Sequence, residues 1–250
     1  MTSQKQGASF MSKKHFTRFA WLFLLLILPF NKGEAVENFC VNCHRDLPAT
    51  TFIGSKYQDW KSSIHAKEGI TCDRCHGGKP SADQKEAAHT GVYNSSNPLS
   101  RVYFKAVPGT CGACHRRDFN AFKGSVHYAY LEQTGAGPTC VTCHESHAMR
   151  IISPRQIPVT CEECHNRRMR IAPEVPTQAQ ALLLLMNETA QLARCAKDRI
   201  ARSDQEKLQE WKEAYAQIET VRDDWHAFNL RRVQIEILDA YDRVKPFLVR

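Results

Sequence analysis

The sequence predicts a mainly α chain: a cysteine-rich body with little regular secondary structure, followed by long amphipathic C-terminal helices. Two observations predict it. Ten of the eleven cysteines fall between Cys40 and Cys164, and the cysteine-poor stretch beyond residue 171 repeats apolar side chains every three to four positions. The natural divisions are residues 1–35, 36–170 and 171–250.

Residues 1–35 read as an export signal. Lys13, Lys14 and Arg18 precede the apolar run Phe19 to Phe30, and Gly33-Glu34-Ala35 follows with small residues where a signal peptidase cuts. A dozen apolar residues fall short of the roughly 18 to 20 that cross a bilayer, so cleavage and a periplasmic mature protein are expected. Membrane association is expected only if the signal is retained. Removal takes five basic residues and Glu34, so 29 basic face 25 acidic residues and the formal +8 falls to +4. The basic balance therefore gives no reason to expect nucleic acid as a partner.

The ten cysteines pair off in five phrases: Cys40, Cys43 and His44; Cys72, Cys75 and His76; Cys111, Cys114 and His115; Cys140, Cys143 and His144; Cys161, Cys164 and His165. Cys-x-x-Cys alone also serves zinc ribbons and redox disulfides. The histidine decides between them. With eleven histidines in 250 positions, five such coincidences have a chance on the order of 10⁻⁷. Covalent attachment of c-type haem requires this arrangement each time: two thiols add to the porphyrin's vinyl groups, and the next residue offers an imidazole to iron. The expected cofactors are five covalently bound haems c, and a stretch of 135 residues, with a radius of gyration of about 14 Å, must hold them close together.

Each iron has a second axial position. Leaving out the attachment histidines and His15 of the signal, five histidines are spare: His65, His89, His127, His147 and His226. Five irons and five spare histidines match. A duplicated two-haem unit organises four of them, because "YQDWKSSIH" (Tyr57 to His65) recurs as "FNAFKGSVH" (Phe119 to His127). Each phrase reads as a short helical turn ending in an axial histidine, with Tyr57, Trp60 and Ile64, or Phe119, Phe122 and Val126, on the porphyrin side. His147 lies three residues after His144, too near to reach the opposite face of the same ring, so it is expected to serve a neighbouring haem. His89 follows a turn and a short helix and is expected to act in the same way. Met149 and Met169 are not repeated and are weaker candidates.

In the tail, Thr177 to Gln180 and Ser203 to Glu206 read as capping boxes. After the second, Leu208, Trp211, Tyr215, Ile218, Trp225 and Phe228 form one stripe, and Leu230, Val233, Ile237, Tyr241 and Val244 another. Together they read as a long amphipathic helix docked on the body through His226. Cys195 reads as a small buried apolar residue. Arg45, Arg116, Arg117, Arg167 and Arg168 follow attachment histidines and are expected to pair with haem propionates.

The haem phrases and the tail together resemble multihaem cytochromes c of the hydroxylamine-oxidoreductase-like group, on the strength of the five attachment sites, the Lys-x-Ser-x-His phrases, "CHGG" after the second site and the helix histidine His226. The resemblance implies stacked haem pairs and a C-terminal run of long helices. No Cys-x-x-Cys-Lys site of the pentahaem nitrite reductase kind is present. Ligand counting favours an electron carrier without a catalytic residue, working between redox partner proteins such as a quinol dehydrogenase and a terminal reductase. An enzyme with one open iron acting on a small nitrogen or sulfur species, or a membrane-anchored quinol dehydrogenase, are the alternatives. No nucleotide-binding glycine loop and no hydrolytic triad is evident, and oligomeric state is not legible.

Overall fold

Short apolar phrases closed by polar caps give the body its helices, and long uninterrupted stripes give the tail its own. The computed structural model describes residues 38–200 and 204–248, all within one of the chain's two compact units, Glu37–Arg250. Residues 1–35, read above as an export signal, and Ser203 lie outside the described residues. Among those described there are α-helices and 3-10 turns and no strand, as a mainly α class requires.

The body runs through α1 (Phe39–Arg45), α2 (Phe52–Ser62), α3 (Ile64–Lys67), α4 (Cys72–His76), α5 (Lys85–Ala88), α6 (Val107–Gly112), α7 (Arg116–Lys123), α8 (Val126–Thr134), α9 (Cys140–His144) and α10 (Ile157–Glu162). None exceeds eleven residues. Such lengths are marginal in water without tertiary support. The recurring serine of the two repeated phrases explains why these helices break where they do. Ser63 caps α3 by accepting from the Ala66 amide at 3.2 Å, and Ser125 caps α8 by accepting from the Tyr128 amide at 3.0 Å. The phrase is therefore two helices meeting at a buried serine, not the single turn expected. Tyr57 and Phe122 point into the core, while Ile64 and Val126, beyond the break, are exposed.

The tail forms α11 (Val175–Lys197), α12 (Gln205–His226) and α13 (Leu230–Val244), which pack against one another. Their shared core includes Trp211, Ala214, Ile218, Val221, Val233, Ile237 and Val244, and the Trp211 indole donates to the Ala193 carbonyl at 2.7 Å. Three expectations are corrected here. The stripe from Leu208 to Val244 is two helices, because the chain turns at Phe228 and Asn229 caps α13 through the Arg232 amide. The start of α11 lies upstream of Thr177, with Pro176 in its first turn, and Asp204 caps α12 through Lys207. Cys195 is exposed, one position off the buried Ala196.

Helix-on-helix contacts join the tail to the body. α11 packs on α10, where Ile157, Ala179 and Leu183 form a small core that also receives Cys143, Cys161 and Trp225. α12 packs on α7, where Arg117 donates to Asp223 at 2.7 Å and to the Glu219 carbonyl at 2.8 Å. Arg117 thus ties the body to the tail.

Candidate haem-binding site

Each attachment motif is built as, or on, a short helix end. The first lies within α1; the second and fourth are α4 and α9 themselves. In the third and fifth, the first cysteine lies in the last turn of α6 or α10 and the histidine follows the helix. Gly112, inside the third motif, lies under the Phe119 ring, and a β-carbon there would collide with it. The glycines after His76 act at a distance. Gly78 has φ +90, and a β-carbon would meet the Ala88 carbonyl at 2.6 Å. That close pass brings α5, with His89 at its end, back toward the first two motifs.

The ten histidine rings come together in five pairs, each containing one attachment and one spare histidine. His44 lies 6.1 Å from His89, His65 5.9 Å from His115, His76 5.9 Å from His147, His127 5.8 Å from His165 and His144 6.4 Å from His226, centroid to centroid. Two imidazoles on opposite sides of one metal, each bound at about 2 Å with the ring centre about 1.2 Å further back, would have centroids about 6.3 Å apart. The spacing fits a shared iron in every pair, and it excludes direct stacking contact. Each repeated phrase serves the motif two places further along: His65 faces the third and His127 the fifth. His147 faces the second motif, not its neighbour in sequence.

The backbone fixes several ring orientations. The Nδ1–H groups of His89, His144, His165 and His226 donate to the carbonyls of Lys85, Arg150, Ile171 and Arg222 at 2.7 to 3.2 Å. A neutral ring donating through Nδ1 keeps its Nε2 lone pair for a metal. Burial pushes the imidazoles of His44, His65, His76, His127, His147 and His226 below the usual range; the facing histidine pushes in the same direction for all but His76, where His44 and Arg101 do so. Low basicity keeps these rings in the neutral form that ligation requires.

Asp118 was not singled out by the sequence. Its carboxylate lies 3.0 Å from Arg222 and 3.5 Å from Nδ1 of His226. The only clue was its place three residues after His115. Met169, by contrast, is exposed and takes no part in the pairs.

Contacts join each motif to the next. Asn38 caps α1 and donates to Asp73 of the second motif at 2.9 Å. Arg101 donates to the Arg74 carbonyl at 3.1 Å and accepts from Thr110, just before the third. The Cys111 thiol meets Cys140 of the fourth, which raises the Cys111 pKa and lowers that of Cys140. Cys143 and Cys161 share the small core under α11. Burial pushes the Cys72 and Cys143 thiols up to about 11, as expected of inward-facing sulfurs.

Residues 64–166 match the family model described as Cytochrome c3. Over these residues the chain is a multihaem c-type cytochrome. The matched stretch contains four of the five attachment motifs and the spare histidines His65, His89, His127 and His147. Covalently bound haem c and multihaem electron transfer are what this family implies for the cytochrome. No solved structure matches the chain.

Proposed function

We propose that the cytochrome is an electron conduit of five six-coordinate haems c. The cysteine pairs 40/43, 72/75, 111/114, 140/143 and 161/164 hold the porphyrins, and the axial pairs are His44/His89, His76/His147, His115/His65, His144/His226 and His165/His127. When bound, haem c supplies a one-electron iron couple. The observation that carries the reading is the five-fold pairing, with every attachment histidine facing one spare histidine at 5.8 to 6.4 Å.

The joints between motifs support passage in chain order, from the first to the fifth. Asn38–Asp73, Arg101–Arg74, Cys111–Cys140 and Cys143–Cys161 each bring one motif against the next. Two imidazoles per iron leave no position for a substrate, which favours a carrier over an enzyme. Export to the periplasm, service between two redox partner proteins, and membership of the hydroxylamine-oxidoreductase-like group belong to the same reading. They rest on residues 13–35, on the closed axial positions and on the helix histidine His226, respectively.

His226 tests the ligand set most sharply, because it alone comes from the tail. His226→Ala should leave one haem five-coordinate, so that the reduced protein binds about one equivalent of carbon monoxide and the oxidised protein gains one high-spin ferric signal. An unchanged low-spin spectrum with no carbon monoxide binding would refute the assignment.

A further inference from the structure

The turn between α12 and α13 places two residues beside histidine rings of the body, one an attachment histidine and one a spare. His226 faces His144, and two positions later Phe228 packs on His127. The ring centroids of Phe228 and His127 are 4.2 Å apart with planes inclined at 68°.

Phe228 holds an awkward conformation for this contact. α12 ends in a Schellman motif: the Phe228 amide donates to Trp225 and the Asn229 amide to Asp224. The residue in the left-handed position of that motif is usually glycine. Here it is Phe228, at φ 57, a conformation unfavourable for a bulky side chain. The gain from glycine is forgone in favour of a ring that meets His127 and lies 6.1 Å from Phe122.

His127 needs such a neighbour. Nδ1 of His127 is buried and has no hydrogen-bond partner among the described residues. Five other rings have one: four on backbone carbonyls and His147 on the Ser146 hydroxyl. Without that bond, packing alone must set the rotation of the ring. The result is distinctive, since the planes of His127 and His165 stand at 89°, whereas the other four pairs lie between 17° and 38°.

We infer that Phe228 is a positioning residue that holds the His127 imidazole perpendicular to His165, making the fifth haem electronically unlike the other four. This rests on the axial assignment proposed above. Axial planes near parallel split the two iron orbitals that overlap the imidazole π systems and give a rhombic low-spin ferric spectrum. Perpendicular planes leave those orbitals nearly equal in energy and give a single large-g signal.

The test is electron paramagnetic resonance of the oxidised holoprotein and of Phe228→Leu, which fills space without a ring, and Phe228→Tyr, which keeps the ring. The expected result is one large-g low-spin signal in the native protein, converted to a rhombic one in Phe228→Leu and retained in Phe228→Tyr. All three proteins should stay low-spin and leave carbon monoxide unbound. A large-g signal unchanged in Phe228→Leu, its absence from the native protein, or a high-spin iron in Phe228→Leu would overturn the positioning role. His127→Ala separates this from the underlying assignment: if it stays wholly low-spin, His127 is not a ligand and the axial pairing itself fails.

Discussion

The body and the tail of this cytochrome solve the same problem with different materials. The tail packs three helices of 15 to 23 residues around a continuous apolar core. The body has helices of four to eleven residues, and within it Leu131 and Pro108 are the large side chains that are fully buried. Its order comes from serine and asparagine caps, from glycines that let segments cross, and from residues gathered around paired histidines. A helix of four residues carrying a ligand holds its place only when the ligand is bound. The difference teaches that the tail can be read as an ordinary amphipathic bundle, whereas the body is organised around its cofactors.

The sharpest way to break the comparison is to prevent haem attachment. Replacing both cysteines of the third motif, Cys111→Ala with Cys114→Ala, should make the body susceptible to proteolysis between residues 38 and 170 while the helices from Val175 to Val244 resist. Limited proteolysis with mass mapping would show it, and equal loss of both regions would contradict the division. Next in size, Ile237→Ala in the tail core should cost about 2–5 kcal/mol of stability, as deletion of a fully buried aliphatic side chain does. Its effect belongs in thermal denaturation and should leave the haem spectra unchanged at low temperature.

Ser125→Ala removes one helix cap and should cost about 1 kcal/mol. The cap lies two residues before His127, so the perturbation should reach the spectrum of the haem assigned to His127 and spare the others. Smallest is Asp118→Asn. A carboxylate 3.5 Å from His226 favours the ferric over the ferrous charge, so its removal should raise one midpoint potential by on the order of tens of mV, a one-electron tenfold change being about 59 mV. Potentiometric titration followed in the visible spectrum would detect it, and a fall in potential would contradict the assigned role.

Much of the chemistry was legible because it is written in covalent spacing. Cys-x-x-Cys-His announces itself without a fold, and a count of histidines left five spare rings, each of which lies beside one attachment histidine; that each pair shares an iron is the proposal made above. Partner choice was not legible. His65 faces His115 across fifty residues and His147 faces His76 across seventy-one, and no local pattern encodes contacts of that range. The break in the tail was misread because both stripes keep helical spacing, while the turn is carried by a phenylalanine where glycine is the familiar signal. Asp118 was missed because an acidic residue after two arginines looks like a solvated run until α12 packs over it. The long C-terminal helices were legible in the three-to-four-residue spacing of their apolar side chains.

Carbon monoxide binding to the reduced, purified holoprotein, read beside the electron paramagnetic resonance of the oxidised form, tests the central claim most directly. Five closed axial pairs predict no carbon monoxide adduct and only low-spin ferric signals. About one equivalent of binding with a high-spin signal would contradict the conduit and identify an open iron as the place where chemistry occurs.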